Sequence, residues 1–302
     1  MSRLWIIGPG AVGKTLGRLF HDRGVFELAG IIGRTREGAE AARAFIGDGQ
    51  AADAAAPTAG DVVMIATRDG EIDAVAAALA DHVDPVGLVV FHCSGARDLA
   101  PLEPLRMAGA AVAALHPVKA FADPAREIET FDGVVCTLQG DDVALAVLAP
   151  AVAAIGGAPV VLPQGVDRRL YHAGTVFASN YLTALVQAGL DAHAAAGING
   201  ATALKILSPI LRDALGAILD KGPVAALTGP IARGDAATVA AQVEALAGQD
   251  AGLAELYAAL GRKTVELARR KTPGLDLGAV EAVLTARTDL PPPGDYVACP
   301  PP

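Results

Sequence analysis

The tightest constraint on this chain lies in its first fifteen residues. Leu4, Trp5, Ile6 and Ile7 run straight into Gly8, Pro9, Gly10, Ala11, Val12 and Gly13, followed by Lys14 and Thr15. Four apolar residues, a glycine cluster and a helix-compatible run predict a strand, a tight turn and a helix start. A glycine-rich turn there lets backbone N–H groups come close to a phosphate, and the helix N-terminus adds partial positive charge to hold it. Two motifs overlap. Gly8, Gly10 and Gly13 form the G-x-G-x-x-G pattern of dinucleotide-binding turns, while Gly8 with Gly13, Lys14 and Thr15 also satisfies the P-loop pattern G-x-x-x-x-G-K-[ST].

The downstream sequence arbitrates. A dinucleotide site needs a second strand about 20 residues on, ending in a residue that meets the adenosine ribose. Residues 26–32 supply that strand, and it closes on Gly33, Arg34, Thr35 and Arg36. An acidic residue at this end would bind a free 2′-hydroxyl; Arg34, Thr35 and Arg36 suit a 2′-phosphate, which favours NADP over NAD. A P-loop needs instead a later strand ending in Asp to hold magnesium, whereas the strand over residues 61–67 begins with Asp61. Gly8, Pro9, Gly10, Ala11, Val12 and Gly13 are therefore read as a pyrophosphate cradle.

Strand patterns at residues 4–7, 26–32, 61–67, 87–91, 110–115, 134–138 and 159–162 alternate early on with helical patterns at 12–22, 37–45 and 72–79. This alternation specifies an α/β fold with a Rossmann-type doubly wound parallel sheet. Ligands in such sheets bind beyond the carboxyl ends of the strands. That rule assigns Thr67, Ser94 and Gly95 to the nicotinamide end of the site, and it sets His116 and Lys119 either in the site or on a surface turn. From residue 165 the strand pattern stops, and helices are expected over 167–196, 202–219, 236–246 and 253–268. The expected plan is an NADP-binding domain at 1–164, an all-helical substrate and dimerisation domain at 165–290, and a proline-rich tail at 291–302.

Composition excludes several partners. The net charge of -9 leaves no basic excess to neutralise a phosphate backbone, so no nucleic acid is expected. No apolar run reaches the ~20 residues needed to span a bilayer, and no signal-like segment precedes Leu4, so a cytoplasmic protein without a membrane partner is expected. With 52% hydrophobic but only 4% aromatic residues, the core must be built from small and branched aliphatic side chains. Cys93, Cys136 and Cys299 lack paired spacing and read as reduced thiols. No metal is expected, because no pair among His92, Cys93, His116 and His172 has ligand spacing within one element.

Three further spans carry a resemblance: His92 to Ala96; Leu115, His116 and Pro117 with Phe121 to Pro124; and Leu227 to Asp235. Tyr171, His172 and Ala173 with Phe177 to Tyr181 fit the same pattern. They resemble the Rossmann-like oxidoreductases that carry a C-terminal domain of unknown function numbered 2520. The wider likeness is to the superfamily of 6-phosphogluconate dehydrogenase, ketopantoate reductase and pyrroline-5-carboxylate reductase. Cys93 departs from the family, where Thr is expected. The resemblance implies an NADP-dependent oxidoreductase, dimeric through its helical domain, with the first helix of that domain presenting a proton donor to the nicotinamide.

On one face of that expected helix His172, Thr175, Ser179 and Thr183 recur at i, i+3, i+7 and i+11, with Asn180 at its edge. Histidine suits the donor role because its ordinary pKa of ~6.5 lets it exchange a proton near neutrality. The superfamily commonly uses Lys for this task, and no Lys lies between Lys119 and Lys205. Either His172 replaces it, with Ser179 and Asn180 beside it, or His116 or Lys119 reaches in from the first domain. Thr175, Thr228, Arg233 and Asp235 are candidates to hold a small polar substrate, a keto acid or imine; Arg233 and Asp235 are equally readable as an ordered, capped turn. The alternative to an enzyme is an NADP-binding sensor that needs the glycines and Arg34 but not His172 or Asn180.

Overall fold

The computed structural model describes residues 1–286. The tail at 291–302 and Cys299 lie outside the described residues. In chain order the elements are β1 Arg3–Ile7, α1 Ala11–Asp22, β2 Glu27–Ile32, α2 Arg36–Ile46, β3 Gln50–Ala51, β4 Val62–Ile65, α3 Ile72–His82, β5 Val89–His92, α4 Glu103–Met107, β6 Ala111–Pro117, α5 Pro124–Glu129, β7 Val135–Gly140, α6 Asp142–Ala154 and β8 Ala158–Val161. Only helices follow: α7 Arg168–Ala178, α8 Asn180–Ala195, α9 Gly200–Ala226, α10 Ala236–Ala247, α11 Ala251–Lys271 and α12 Gly278–Thr285.

The eight strands form one sheet in the order β3-β2-β1-β4-β5-β6-β7-β8. The pairings are parallel except β6 with β7, which is antiparallel. The fully parallel sheet expected from the alternation is corrected at that one place. The connection from β6 to β7 carries only the six-residue α5, where the connection between the parallel β7 and β8 carries the 13-residue α6 back along the sheet, and β7 returns in the opposite sense. The order reverses between β1 and β4, the topological switch point at which such sheets open a crevice for a ligand.

Both faces of the sheet are covered, which is why its central strands read as unbroken apolar runs. Side chains alternate across the pleat. Leu4, Ile6, Met64, Phe91 and Leu115 pack with Leu16, Phe20, Ile46 and Leu148 on one face. Trp5, Ile7, Val63, Ile65 and Val90 pack with Ile72, Leu79, Leu102 and Leu105 on the other. At the amino-terminal edge Asp61 accepts from Arg3 Nη2 at 2.7 Å, Thr58 N at 2.9 Å and Trp5 Nε1 at 3.3 Å. It is a clasp at the end of the sheet opposite the glycine turn.

The chain divides into two compact units, Met1–Ala178 and the helices from Ser179 onward. The single helix expected over 167–196 is two helices, because Ser179 leaves the helical region at φ -127°, ψ -79°. The face drawn through His172, Thr175, Ser179 and Thr183 therefore does not run along one continuous helix, and α7 belongs with the sheet. In the second unit Asn199 caps α9, Asp235 caps α10 and Asp250 caps α11 through their side chains. Ile231, Val239, Val243, Val265, Val280 and Leu284 form its apolar centre. No helix among the described residues is long and apolar enough to cross a membrane.

Candidate active site

The turn after β1 places its three glycines for three different physical reasons. Gly8 has φ +82°, and a Cβ there would stand 2.7 Å from the backbone nitrogen of Thr67. Gly10 precedes α1 in an extended conformation, and a Cβ there would meet nothing within 4 Å. At Gly13 a Cβ would stand 2.9 Å from the carbonyl oxygen of Gly8 and 3.3 Å from Ala66 Cβ. A tight turn, an open approach and close packing of helix on strand are what a dinucleotide loop asks of its first, second and third glycine. Gly10 caps α1 without a side-chain bond, so first-turn N–H groups, those of Ala11, Val12 and Gly13 among them, stay available to an anion. These residues fit a pyrophosphate. They do not fit a P-loop: Thr15 is fully buried, and Asp61 sits at the far end of its strand.

At the end of β2 the three candidate residues do different things. Thr35 accepts from the backbone nitrogen of Gly38 and caps α2. Arg36 pairs with Asp53 at 3.4 Å and Glu40 at 3.8 Å. Arg34 is exposed and makes no ion pair among the described residues.

Since β1, β4, β5 and β6 are parallel, their carboxyl ends share one edge of the sheet, and there the second half of the site assembles. His92, at the end of β5, is buried; its Nε2 is 2.9 Å from the carbonyl of Asp98, and its Nδ1 accepts from Ser94 N at 3.3 Å. Burial pulls its pKa down to about 4, so it shapes the turn as a neutral ring. Ser94 Oγ accepts from the backbone nitrogens of Ala96 and Arg97 and closes the same turn. Gly95 then lies between two imidazoles. A Cβ on it would stand 2.8 Å from His116 Cε1 and Nε2 and would collide with His172 Cδ2. The two rings approach edge to face, with centroids 5.7 Å apart.

Helix α7 is fastened to this edge by two side chains one turn apart. Tyr171 places its hydroxyl 2.9 Å from His116 Nδ1, and Thr137 on β7 donates to it at 3.1 Å. Arg168 is 1% exposed and donates through Nη2 to the carbonyl oxygen of Ser94 at 2.7 Å, with its guanidinium 5.7 Å from the Tyr171 ring centre. Its Nε and Nη1 are buried without a hydrogen bond. Burial first, then the Arg168 charge and His172, holds the His116 pKa down at about 4. Burial also pushes the Cys93 thiol well above its ordinary range, so the cysteine beside Ser94 is not a thiolate at neutral pH.

The remaining candidates have partners or settings of their own. Lys119 is tied to Glu127 by an ion pair of 2.8 Å. Thr175 donates to the carbonyl of His172, while Ser179 donates to Asn180 Oδ1 at the start of the second unit. In that unit Thr228 and Arg233 are exposed, and Asp235 caps α10 by accepting from Thr238 N at 3.0 Å and Oγ1 at 2.7 Å. No group of three His, Cys, Asp or Glu side chains among the described residues is arranged to hold a metal. From the sequence Arg168 reads only as a weaker anchor beside the expected helix and Tyr171 only as part of a span that carries the resemblance, while Thr137 is not singled out. The first two are visible in retrospect as an i, i+3 pair, but nothing in the sequence marks Thr137.

Residues 2–117 match the family described as a Rossmann-like domain, and residues 134–264 match the domain of unknown function DUF2520. The chain thus carries a Rossmann-like domain followed by a DUF2520 domain. Among solved structures it is similar to protein TM1727 from Thermotoga maritima at 23% identity and TM-score 0.69, covering 89% of this chain and 99% of that one. It is also similar to a reductive aminase from Aspergillus terreus in complex with NADPH and ethyl levulinate, at 17% identity and TM-score 0.64 over 95% and 99% of the two chains. An imine reductase from Streptomyces aurantiacus matches at 18% identity and TM-score 0.56 over 94% and 100%. At these identities the likeness is one of fold. No curated protein matches the chain in sequence.

Proposed function

We propose that this chain is an NADP-dependent reductase of a small keto acid or imine. The observation that carries the reading is the shared edge of the sheet: a glycine turn shaped for a pyrophosphate ends β1, and two imidazoles flank Gly95 beyond β5 and β6. The reductive aminase and the imine reductase of like fold support it. NADPH, when bound, supplies the hydride. Gly8 to Gly13 and the first turn of α1 hold the pyrophosphate, Arg34 takes the 2′-phosphate, and Thr67, Ser94 and Gly95 border the nicotinamide. His116 and His172 then give the reduced heteroatom its proton. The assembly is a homodimer through the helical unit, whose Leu182, Leu185, Ile210 and Leu219 are exposed large apolar side chains.

The test is fluorescence titration with NADPH and NADH, followed by NADPH oxidation against pyrroline-carboxylate and keto-acid substrates. Tighter binding of NADPH, lost in Arg34→Ala, and turnover reduced at least tenfold in His172→Ala are expected. Tight NADPH binding without turnover across the panel favours a sensor and overturns the reductase reading.

A further inference from the structure

We infer that Tyr171 is a positioning residue that keeps a proton in reserve for His116, and that Arg168 is the counter-charge for the phenolate left when that proton moves. The inference rests on the reductase reading above and concerns how its proton is supplied.

Three distances around one hydroxyl are the first sign. The Tyr171 hydroxyl lies between Thr137 Oγ1 at 3.1 Å and His116 Nδ1 at 2.9 Å. The alternative acceptor for Thr137, the carbonyl of His116, is farther away at 3.5 Å. With the threonine hydroxyl donating to the phenol oxygen, the single phenolic proton points at Nδ1. His116 then accepts there and carries its own proton on Nε2, the nitrogen that faces Gly95.

The environment makes such a reserve necessary. His116 is neutral at physiological pH, since the groups facing it are Arg168, His172 and Tyr171 on α7 and Asp69 after β4, and burial outweighs the one carboxylate. A neutral imidazole gives up its N–H only weakly unless its other nitrogen gains a proton in the same event. Arg168 is the second, independent sign. It is a fully buried cation that makes no ion pair among the described residues, keeps two nitrogens unbonded and stands beside the Tyr171 ring. A buried charge without a partner is costly, and a phenolate on Tyr171 would supply that partner.

The proton balance closes. The Nε2–H bond of His116 breaks as a new N–H or O–H bond forms on the substrate heteroatom, whose carbon takes the hydride of the reduced nicotinamide. The Tyr171 O–H bond breaks as Nδ1–H forms. A solvent proton taken at Nε2 and return of the Nδ1 proton to the phenolate restore the starting state.

The experiment uses the full chain labelled with ¹⁵N-histidine, without cofactor. The expected spectrum shows His116 protonated on Nε2 with a hydrogen-bonded, unprotonated Nδ1, and Tyr171→Phe shifts that Nδ1 resonance while the melting temperature confirms a folded variant. A wild-type His116 protonated on Nδ1 overturns the inference, whatever the activity. In parallel, NADPH oxidation with 1-pyrroline-2-carboxylate should show kcat in Tyr171→Phe lowered about 100-fold at unchanged KM. Unchanged kcat in that variant also overturns it. Failure of the wild type to bind NADPH removes the reductase reading instead, and the nitrogen spectrum still decides the tautomer.

Discussion

Arg168 donates through Nη2 to the carbonyl oxygen of Ser94 at 2.7 Å, and this is the guanidinium's one hydrogen bond among the described residues. A hydrogen bond to a charged group contributes about 1.5–3 kcal/mol, while burying a cation without a partner costs several kcal/mol. The balance makes Arg168 a liability to the resting fold. Arg168→Met is expected to raise the urea midpoint, corresponding to about 1 kcal/mol, and to lower turnover. A midpoint that falls by a similar amount would show that the Ser94 bond outweighs the buried charge.

Gly8 and Gly10 separate folding from binding. Gly8→Ala forces a side chain to φ +82° against the Thr67 backbone, and should cost about 1–2 kcal/mol from the left-handed conformation alone. Gly10→Ala meets nothing within 4 Å, so its melting temperature should match the parent. It should nevertheless bind NADPH at least tenfold more weakly, because the added methyl occupies the approach to the helix N-terminus. Equal NADPH affinity in Gly10→Ala would remove the cradle.

Gly95→Ala places a methyl 2.8 Å from His116 and against His172. One imidazole must move. The expected outcome is a loss of about 1–3 kcal/mol in stability, typical of overpacking, with turnover reduced more than NADPH affinity. Equal losses in both would mean that the rings do not act on the substrate.

Acid should destabilise the protein over a definite window. His92 and His116 are held at about 4, below the ordinary ~6.5 of an unfolded chain. Between those values the unfolded state binds more protons, so stability is greatest above pH 6.5 and falls as pH drops towards 4. Each histidine contributes a slope approaching about 1.4 kcal/mol per pH unit. Urea midpoints at pH 7, 5.5 and 4.5 check this, and a flat profile would mean that both rings charge without penalty.

The sequence by itself determined where seven of the eight strands lie, because its signals are local. An apolar run covered on both faces reads as a strand without knowledge of its neighbours, as in residues 4–7 or 62–65. The order of Gly8, Gly10 and Gly13 along one turn dictates a phosphate-sized approach. The asymmetry of Asp61, first in its strand rather than last, was also legible, and it set aside magnesium chemistry. What only the tertiary structure decided depends on which chain ends meet. The break at Ser179, where Ala and Leu on both sides favour an unbroken helix, divides the polar stripe that periodicity had drawn. Lys119 is tied to Glu127 by a pairing that local sequence does not advertise. Thr137 reaches Tyr171 because β7 runs antiparallel to β6, and strand direction is a property of the whole sheet rather than of the residues within one strand.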